Sequence, residues 1–387
     1  MGGEFAEDLI VALNASPLIS RDAACRLSVT PEAWVGAGSG ETGSLAQELG
    51  VSPRSLRFAR ECARTAHHLA ARERARARNL GAEILTRRDP SYPAGLLDLE
   101  LPPPALYVLG ELPSAPGVAI VGSRNTDPYG VEAAERFAGE LSTRGAVIVS
   151  GFAIGIDSVA HKAALSAGGK TLAVLGCGLD VDYPRSNRRL RAQIAEAAAL
   201  VTEFPVGTRP EARHFPIRNR IIAALACGTL VVRGTPHSGS LITAGCALVL
   251  GRQVWAIPGN IFDPRSMGPN SLIRDGAHPV QSPDELFETL PTPVQVELET
   301  GAGKPEPNPE PSDIQPGRTD LARLFQAVPA GSTVDAVALV EASGLALDRV
   351  LSLLVELEIM GFLNRYPGPA WGRAGASPSG SGRRGWE

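Results

Sequence analysis

Residues 117–176 read GVAIVGSRNTDPYGVEAAERFAGELSTRGAVIVSGFAIGIDSVAHKAALSAGGKTLAVLG. Short, continuously apolar runs alternate in this stretch with segments of helix length. Apolar runs without polar alternation are typical of strands that are buried on both faces of a parallel sheet. Their alternation with helices predicts a doubly wound α/β fold.

The same alternation extends outward as far as residue 258. The predicted strands are 118–121, 146–150, 171–176, 200–204, 229–233 and 253–258, and the predicted helices between them are 131–143, 158–167, 188–198, 218–226 and 241–250. This order predicts an extended, Rossmann-like, mostly parallel sheet. Ligands of such sheets bind at the carboxyl ends of the strands, so the loops after the strands are the expected site.

Several of these loops carry residues suited to phosphate binding. Backbone amides at a helix start attract anions, and an arginine adds a bidentate ligand. The candidates are Gly122, Ser123 and Arg124 after the first predicted strand, Ser150 and Gly151 after the second, and Ser238 and Ser240 after the fifth. Asp157 and His161, also after the second strand, are interpreted as a helix cap and a packed, hydrogen-bonded histidine rather than as catalytic groups.

The densest signal is the segment HFPIRNRIIAAL at residues 214–225. An aromatic ring among arginines is typical of single-stranded nucleic-acid binding, because bases stack on the ring and guanidinium groups bind phosphates. The candidate residues are Arg213, Phe215, Arg218, Asn219 and Arg220. A structural alternative stays open, in which the phenylalanine fills the core and the last two polar residues tie loops together.

The composition describes an ordinary globular protein rather than a disordered one. The chain has 387 residues, of which 44% are hydrophobic and 20% are charged, and its formal net charge is −4. That charge alone would count against a nucleic-acid partner. Its distribution is uneven, however, since residues 54–88 contain ten arginines and three glutamates, whereas residues 303–313 are acidic.

Other classes of protein and site find little support in the sequence. The five cysteines form no C-x-x-C pair, which argues against disulfides and a zinc site, and no metal or cofactor is expected. No apolar run approaches the roughly 18 residues of a membrane span. The N-terminus is acidic where a signal peptide is basic, so a cytoplasmic protein without membrane contact is expected.

Composition shifts divide the chain into five segments. Residues 1–84 are predicted to form a helical domain, with one long helix over 52–79, and residues 85–290 the Rossmann-like core. Residues 291–317 are proline-rich and acidic, as in a flexible linker. The remaining segments are a compact helical module at 318–367, with helices at 320–327, 333–342 and 347–360, and a Gly/Ser-rich tail at 368–387 that is predicted to be disordered.

Many ordered motifs of the core resemble those of one family, the DNA-processing protein A (DprA, also called Smf) family. These motifs are GSR (122–124), SGFAIGID (150–157), GLDVDYPRSN (178–187), HFPIRNRIIAAL (214–225), SGSLITA (238–244) and NSLIRDGA (270–277). The segment LLVELEIMGFLNRYPG (353–368) resembles the C-terminal winged-helix-like module of that family. Residues 1–84 are similar to it only as a small helical domain of the SAM or helix-hairpin-helix type.

The resemblance implies a non-enzymatic bacterial protein that binds incoming single-stranded DNA in natural transformation and loads the RecA recombinase onto it. It implies a homodimer formed through the core, and it leaves duplex DNA open as a second ligand. It further implies a DNA pocket where the GSR loop meets the HFPIRNR segment, at Ser123, Arg124, Phe215, Arg218, Asn219 and Arg220. Two alternatives remain: a Rossmann-like nucleotide-processing enzyme related to phosphoribohydrolases, and a scaffolding protein without nucleic-acid affinity.

One motif departs from the family pattern. The strand before SGSLITA usually ends in a glutamate followed by a basic residue, whereas this chain has Arg233 and His237 there. Arg233 could therefore extend the basic surface or break an ion pair of the family. The predicted helix at 347–360 carries Asp348, Glu356 and Glu358 against one arginine, which favours a protein contact or a regulatory role over DNA reading.

Overall fold

The computed structural model describes residues 3–35, 42–292, 294–295, 298, 319–328, 334–359, 362–366 and 370–373. The chain divides into two compact units, Met1–Gly303 and Lys304–Glu387. Most of the predicted linker lies outside the described residues. The predicted tail does so at residues 368–369 and from residue 374 onward, whereas residues 370–373, which were predicted to be disordered, form a strand.

A nine-stranded sheet organises the described part of the first unit. Its strands are β1 (Ala82–Thr86), β2 (Ala105–Gly110), β3 (Gly117–Val121), β4 (Val147–Ser150), β5 (Thr171–Val174), β6 (Ala199–Thr202), β7 (Gly228–Val231), β8 (Gln253–Ala256) and β9 (His278–Pro279). The strand order is β1-β2-β6-β5-β4-β3-β7-β8-β9. All neighbours from β6 to β9 are parallel, and β2 pairs antiparallel with both β1 and β6.

The predicted Rossmann-like, mostly parallel sheet is confirmed. Strands β3 to β8 lie within two residues of the six predicted ones at each end. Strands β1 and β2 were not predicted. The segment that contains β2 reads as a proline-rich connector, but its last three prolines end at Pro104 and the next four residues are fully buried between β1 and β6.

Helices cover both faces of the sheet. They are α1 (Gly3–Ala15), α2 (Arg21–Leu27), α3 (Pro31–Val35), α4 (Thr42–Glu48), α5 (Pro53–Arg64), α6 (Ala66–Arg78), α7 (Pro128–Thr143), α8 (Ile156–Ser166), α9 (Arg188–Ala197), α10 (His214–Ala224), α11 (Gly239–Val249), α12 (Met267–Arg274) and α13 (Pro283–Glu288). Phe137 of α7 and Leu286 of α13 belong to the core on one face, and Ile221 of α10 and Ala247 of α11 to the core on the other. Two buried faces explain why the strands are apolar throughout.

The long helix predicted over residues 52–79 is interrupted at Thr65. This residue has non-helical φ and ψ angles of −123° and 17°, and it separates α5 from α6. Leu56 of α5 packs in the N-terminal helical cluster, whereas Ala77 of α6 packs beside Tyr107 of the sheet. The break lets the two helices bury their apolar faces against different neighbours.

The N-terminal helices are joined to the sheet by buried polar contacts. The side-chain amide of Asn14 donates to the carbonyl of Glu203 at 3.1 Å, and the Arg21 guanidinium donates to the same carbonyl at 3.1 Å. Strand β1 crosses the predicted boundary at residue 84 and belongs to the sheet. These contacts explain why the helical segment and the core form a single compact unit.

Strand β3 is the point at which the chain reverses its direction of travel across the sheet. It pairs with β4 on one side and with β7 on the other, so the loops after β3 and β7 diverge over a crevice. This is the topological switch point at which doubly wound sheets bind ligands.

The second unit is small and mixed in structure. Its described elements are α14 (Thr319–Ala327), α15 (Ala336–Ser343), α16 (Leu347–Ile359), β10 (Val334–Asp335), β11 (Leu363–Tyr366) and β12 (Ala370–Arg373). The strands form an antiparallel sheet in the order β10-β12-β11. Leu324, Leu339, Leu354 and Phe362 form part of its core. Three helices with a small antiparallel sheet confirm the predicted winged-helix-like module, although a short strand precedes the helix predicted over 333–342.

None of the helices in the described ranges is both long and apolar enough to cross a lipid bilayer.

Candidate nucleic-acid interface

A cleft of about 640 Å³ opens at the switch point. Its walls are the loop after β3, the loop after β7 and the first turns of α10. The lining includes eight of the twelve predicted site residues, namely Gly122, Ser123, Arg124, Phe215, Arg218, Asn219, Ser238 and Ser240.

 The loops that the sequence singled out therefore do meet at one edge of the sheet.

Phe215 stands at the mouth of this cleft and is half-buried. The guanidinium carbon of Arg124 lies 5.2 Å from the centre of its ring, and the ring of Tyr183 lies 5.7 Å away. The ring is seated on Gly176, where an added Cβ would lie 2.9 Å from it. An arginine and two aromatic rings thus lie together, with a cation–π contact between Arg124 and Phe215.

The loop after β4 supports the loop that carries Arg124. Gly155 has a φ of +84°, and a Cβ there would collide with the carbonyl oxygens of Ser123 and Arg124. The amide of Ile156 donates to the Ser123 carbonyl at 3.2 Å, and the Ser123 hydroxyl bonds within its own loop to Asn125. The loop is therefore held internally, and the Arg124 side chain remains exposed to solvent.

Arg218 has a different environment, because it is only 3% exposed. Its guanidinium donates to the carbonyls of Gly151 and Val174 and to the side-chain oxygen of Asn219. Burial lowers the pKa of Arg218 to about 10, against the opposing influence of Asp157. Its position at the floor of the cleft agrees with the prediction, but most of its donors are already used by the protein.

Three other predicted residues are committed to contacts within the protein. Asn219 donates to the carbonyl of Gly239 at 3.0 Å and so ties α10 to the start of α11. Arg220 pairs with the fully buried Glu203 at 2.6 Å. Ser150 donates its hydroxyl to the Ile120 carbonyl. For Asn219 and Arg220, the alternative that these residues tie loops together describes the observed contacts.

The remaining predicted residues lie around the cleft or next to it. Ser238 caps α11, since its hydroxyl accepts from the amide of Ser240 at 3.4 Å. Gly151 provides a carbonyl to Arg218 rather than an amide to the cleft. Arg213 is exposed on the other side of the turn that carries Phe215, where it pairs with Glu211 at 2.8 Å. The structure does not place Arg213 or Arg220 in the cleft lining.

Asp157 and His161 are both internal. Burial raises the pKa of Asp157, whose carboxylate accepts from the amide of Ala153 at 3.3 Å rather than capping α8. His161 contacts the Thr171 hydroxyl at 2.6 Å through Nδ1, and burial lowers the pKa of His161 to about 3. The packed histidine predicted from the sequence is confirmed, and the predicted cap at Asp157 is wrong because Gly155 occupies the cap position.

Arg233 neither extends the basic surface nor lacks a partner. It is buried, it pairs with Asp127 and, at 2.6 Å, with Asp263, and it donates to the Ser266 hydroxyl. The hydrogen bond from Arg233 is the main reason that the pKa of Asp127 falls to about 2. The charge of Arg233 is thus neutralised locally. His237 lies four residues after Arg233, on the loop after β7, and is exposed to solvent.

Tyr183 lines the site but was not among the predicted site residues. Its ring is 39% exposed, and it lines both the main cleft and a slot of about 70 Å³ on the far side of Phe215. The loop after β5 ends at the same edge of the sheet as the other site loops. An aromatic residue in that loop was the signal that could have identified it.

Across the part of the chain that the structure describes, no group of three or more histidine, cysteine, aspartate or glutamate side chains converges in a way that could hold a metal ion.

Comparison with known proteins identifies the family. A family model described as DNA recombination-mediator protein A matches residues 83–291. The chain is also 43% identical over 285 residues to Protein Smf of Escherichia coli (strain K12), a match that covers 72% of this chain and 74% of that protein. The chain belongs to the DNA recombination-mediator protein A family. The resemblance seen in the sequence is thereby confirmed.

Other members of the DNA recombination-mediator protein A family match as well. DNA processing protein DprA of Bacillus subtilis (strain 168) is 41% identical over 217 residues, which cover 55% of this chain and 73% of that one. The X-ray structure of DNA processing protein A from Streptococcus pneumoniae superposes with a TM-score of 0.63 at 34% identity, over 74% of this chain and 98% of that one. A model described as DprA winged helix domain matches residues 304–369.

Proposed function

We propose that this member of the family binds single-stranded DNA in the cleft around Phe215. The observation that carries the proposal is the half-buried ring of Phe215 between Arg124 and Tyr183, at the mouth of a crevice at the switch point. A base that stacks on such a ring contributes about 1–3 kcal/mol to binding. Stacking requires a free base face, which a single strand offers and an intact duplex does not.

The phosphates of the strand are proposed to bind beside the stacked base. The guanidinium of Arg124 is exposed and its described ring contact leaves its N–H groups available for a bidentate phosphate contact. Ser238 and Ser240 at the start of α11 line the same cleft, and their hydroxyl groups and the amide of Gly239 are proposed to bind an anion. Arg218 is proposed to act from beneath, since its buried charge attracts the strand while its hydrogen bonds hold the cleft floor.

Several finer properties rest on family membership and are proposals for this chain. They are loading of the RecA recombinase, a role in natural transformation, a cytoplasmic location and the absence of catalysis. The last is supported by the internal contacts of Asp157 and His161, since a nucleotide-processing enzyme would need such groups free to reach a substrate. Residues 291–317 are proposed to be the linker that precedes the winged-helix module.

A homodimer through the core is proposed as well. At the end of α11, Leu248 and Val249 are 59% and 89% exposed, and neither lines the cleft. Adjacent large apolar side chains that are exposed on a helix are typical of a surface that another protein covers.

In the winged-helix module, Leu347, Leu351 and Val355 are exposed at intervals of four residues along α16. This pattern supports a protein-contact role for that helix.

A salt titration tests the proposed DNA binding. The binding constant of a labelled oligothymidine should fall steeply with salt, with a slope of about −0.7 for each phosphate bound. Arg124→Ala should weaken binding and make the slope less negative by about 0.7, because one phosphate contact is lost. Arg274→Ala is the matched control, since Arg274 is an exposed, surface-paired arginine outside the cleft. Binding that is absent, or independent of salt, would refute the proposal.

A further inference from the structure

A second and larger cavity lies next to the cleft, between the N-terminal helices and the segment 204–217. This N-terminal groove, defined by its lining residues Phe58, Arg72, Arg76, Phe204, Arg213 and His214 among others, has a volume of about 1090 Å³. It lies entirely within the first compact unit. The family model starts at residue 83 and so does not include the N-terminal helices that form one wall of the groove.

The groove and the cleft share the first turn of α10 as a common wall. Phe215 and Pro216 line the cleft, whereas His214 and Ile217 line the groove. One helical turn rises only about 5.4 Å. A strand that passes from one cavity to the other therefore has to cross no more than the start of this helix.

Positive charge is available on the groove side. Among the described hydrogen bonds and ion pairs, none involves Arg72, which is exposed. Arg213 is 75% exposed at its side chain and pairs only with Glu211, two residues away. Exposed pairs of this kind contribute at most about 1 kcal/mol, so a phosphate can replace the carboxylate at little cost. Arg76 is half-exposed and shares Glu73 with Tyr107 and the amide of Val206.

The groove also has acidic lining residues, and their partners limit their effect. Glu73 is buried and accepts three hydrogen bonds, as described above. Asp22 is held by Arg26 on its own helix at 3.2 Å. Glu61 is exposed and lines the groove without an ion pair among those described. The arginines at positions 21, 72, 76 and 213 outnumber these carboxylates, which leaves a positive balance.

The wall between the two cavities carries an unused polar atom. His214 is 8% exposed and stacks on Phe204 with a ring separation of 4.4 Å, and its buried Nδ1 has no hydrogen-bond partner within the described structure. The residue before it, Arg213, makes no side-chain capping bond to the first turn of α10. The first turn of α10 nevertheless offers few free amides, because that of His214 donates to the Glu211 carbonyl at 2.9 Å and residue 216 is a proline. Phosphate binding along this wall therefore depends on the arginines of the groove.

We propose that single-stranded DNA leaves the cleft over the first turn of α10 and continues into the N-terminal groove. Successive phosphates lie against Arg213 and Arg72, the exposed arginines of the groove. The basic N-terminal helices thereby extend the binding site of the core. This inference rests on the proposed function, since it requires that the cleft hold a single strand first.

Oligonucleotide length separates the two parts of the path. Fluorescence anisotropy is measured with labelled oligothymidines of about 6 and about 20 nucleotides, lengths that bracket the usual site sizes of single-strand binding proteins. The double variant Arg72→Ala/Arg213→Ala of the full chain should bind the long oligonucleotide about tenfold more weakly and the short one within about twofold of the wild type. The salt slope for the long one should become less negative by about 1.4, for two lost phosphate contacts.

A matched control is available on the same helices. Arg64 and Arg78 are also exposed arginines of α5 and α6, but they do not line the groove, so Arg64→Ala/Arg78→Ala should leave both affinities unchanged. Equal losses at the two lengths, no loss with the long oligonucleotide, or the same loss in the control would overturn the inference. A wild-type chain that binds neither oligonucleotide would instead refute the proposed function itself. If the wild type binds both oligonucleotides and the double variant loses affinity mainly for the long one, the result supports both the proposed function and the longer path.

Discussion

Two arginines lie at the carboxyl edge of the same sheet, and their partners differ. In the loop after β3, Arg124 lies over the ring of Phe215 and is exposed to solvent. In the loop after β7, Arg233 lies 4.8 Å over the ring of Tyr129, but Asp127 and Asp263 bind its guanidinium. Arg124 is the arginine proposed to bind a ligand, whereas Arg233 holds two loops together.

The number of arginines near a site therefore says little about its affinity for phosphate. An arginine is available to a phosphate only if its N–H groups are not already bonded to a carboxylate or a carbonyl of the protein. Arg218 lies between the two cases, because it lines the cleft but its guanidinium already donates to two backbone carbonyls. Substitutions that separate stability from binding can therefore test the distinction.

The largest effect is expected at Arg218. Arg218→Ala removes the donor to the carbonyls of Gly151 and Val174 and leaves the buried Asp157 without its opposite charge. The free energy of unfolding should fall by about 3–5 kcal/mol. Urea denaturation measures this change. Arg124→Ala, the exposed counterpart, should change stability by less than about 0.5 kcal/mol. If the two variants are equally stable, Arg218 does not stabilise the fold as described, and the distinction between a structural and a ligand-binding arginine fails.

A smaller effect, on binding rather than stability, is expected at Phe215. Phe215→Ala should weaken binding of a single-stranded oligonucleotide by about 1–3 kcal/mol, because a stacking surface is lost. Fluorescence anisotropy measures the change, and Phe215→Trp should retain most of the affinity. Tyr129→Ala is the control from the second region, since Tyr129 is 45% exposed beneath a neutralised arginine. A loss at Tyr129 as large as at Phe215 would contradict the comparison.

The smallest effect is expected at Asp127 and depends on pH. Its pKa in the folded protein is about 2, below the ordinary value of 3.8, so Asp127 stabilises the fold above pH 4 and loses this contribution as the pH falls towards 2. Asp127→Asn should be about 1–2 kcal/mol less stable at pH 7 and should lose less stability on acidification. Denaturation midpoints at pH 7, 4 and 3 measure this.

A control for Asp127 comes from an exposed pair. Asp284 pairs with Arg144 but is 63% exposed, so Asp284→Asn should change stability little at any of these pH values. If the Asp127 and Asp284 variants behave alike, the cluster around Arg233 does not hold the loops as described.

The parallel part of the fold could be predicted from the sequence because burial on both faces makes its strands continuously apolar. The antiparallel strands β1 and β2 could not be predicted in the same way. Residues 105–110 follow three prolines and are as apolar as a packed connector, and only their pairing with β6 distinguishes a strand. The break of the N-terminal helix at Thr65 likewise depends on tertiary packing.

The candidate site could be predicted in part, and helical geometry explains the rest. Arg218 and Arg220 are two positions apart on α10, so they point to nearly opposite sides of the helix, and only Arg218 reaches the cleft. The helix was predicted to begin at residue 218, whereas it begins at His214, so residues 214–217 lie on its first turn and not in a loop. The contact of Tyr183 with Phe215 depends on the convergence of two loops that are distant in the sequence.

Strand β1 has a consequence for any fragment of this protein. It covers the outer side of β2, pairing with all five residues from Ala105 to Leu109. A fragment that starts at Pro90 would lack β1 and would leave the backbone donors and acceptors of a buried, apolar strand open along one side. Uncovered edges of this kind recruit further strands from other molecules, so such a fragment is prone to aggregate. Residues 82–86 thus protect the solubility of the sheet.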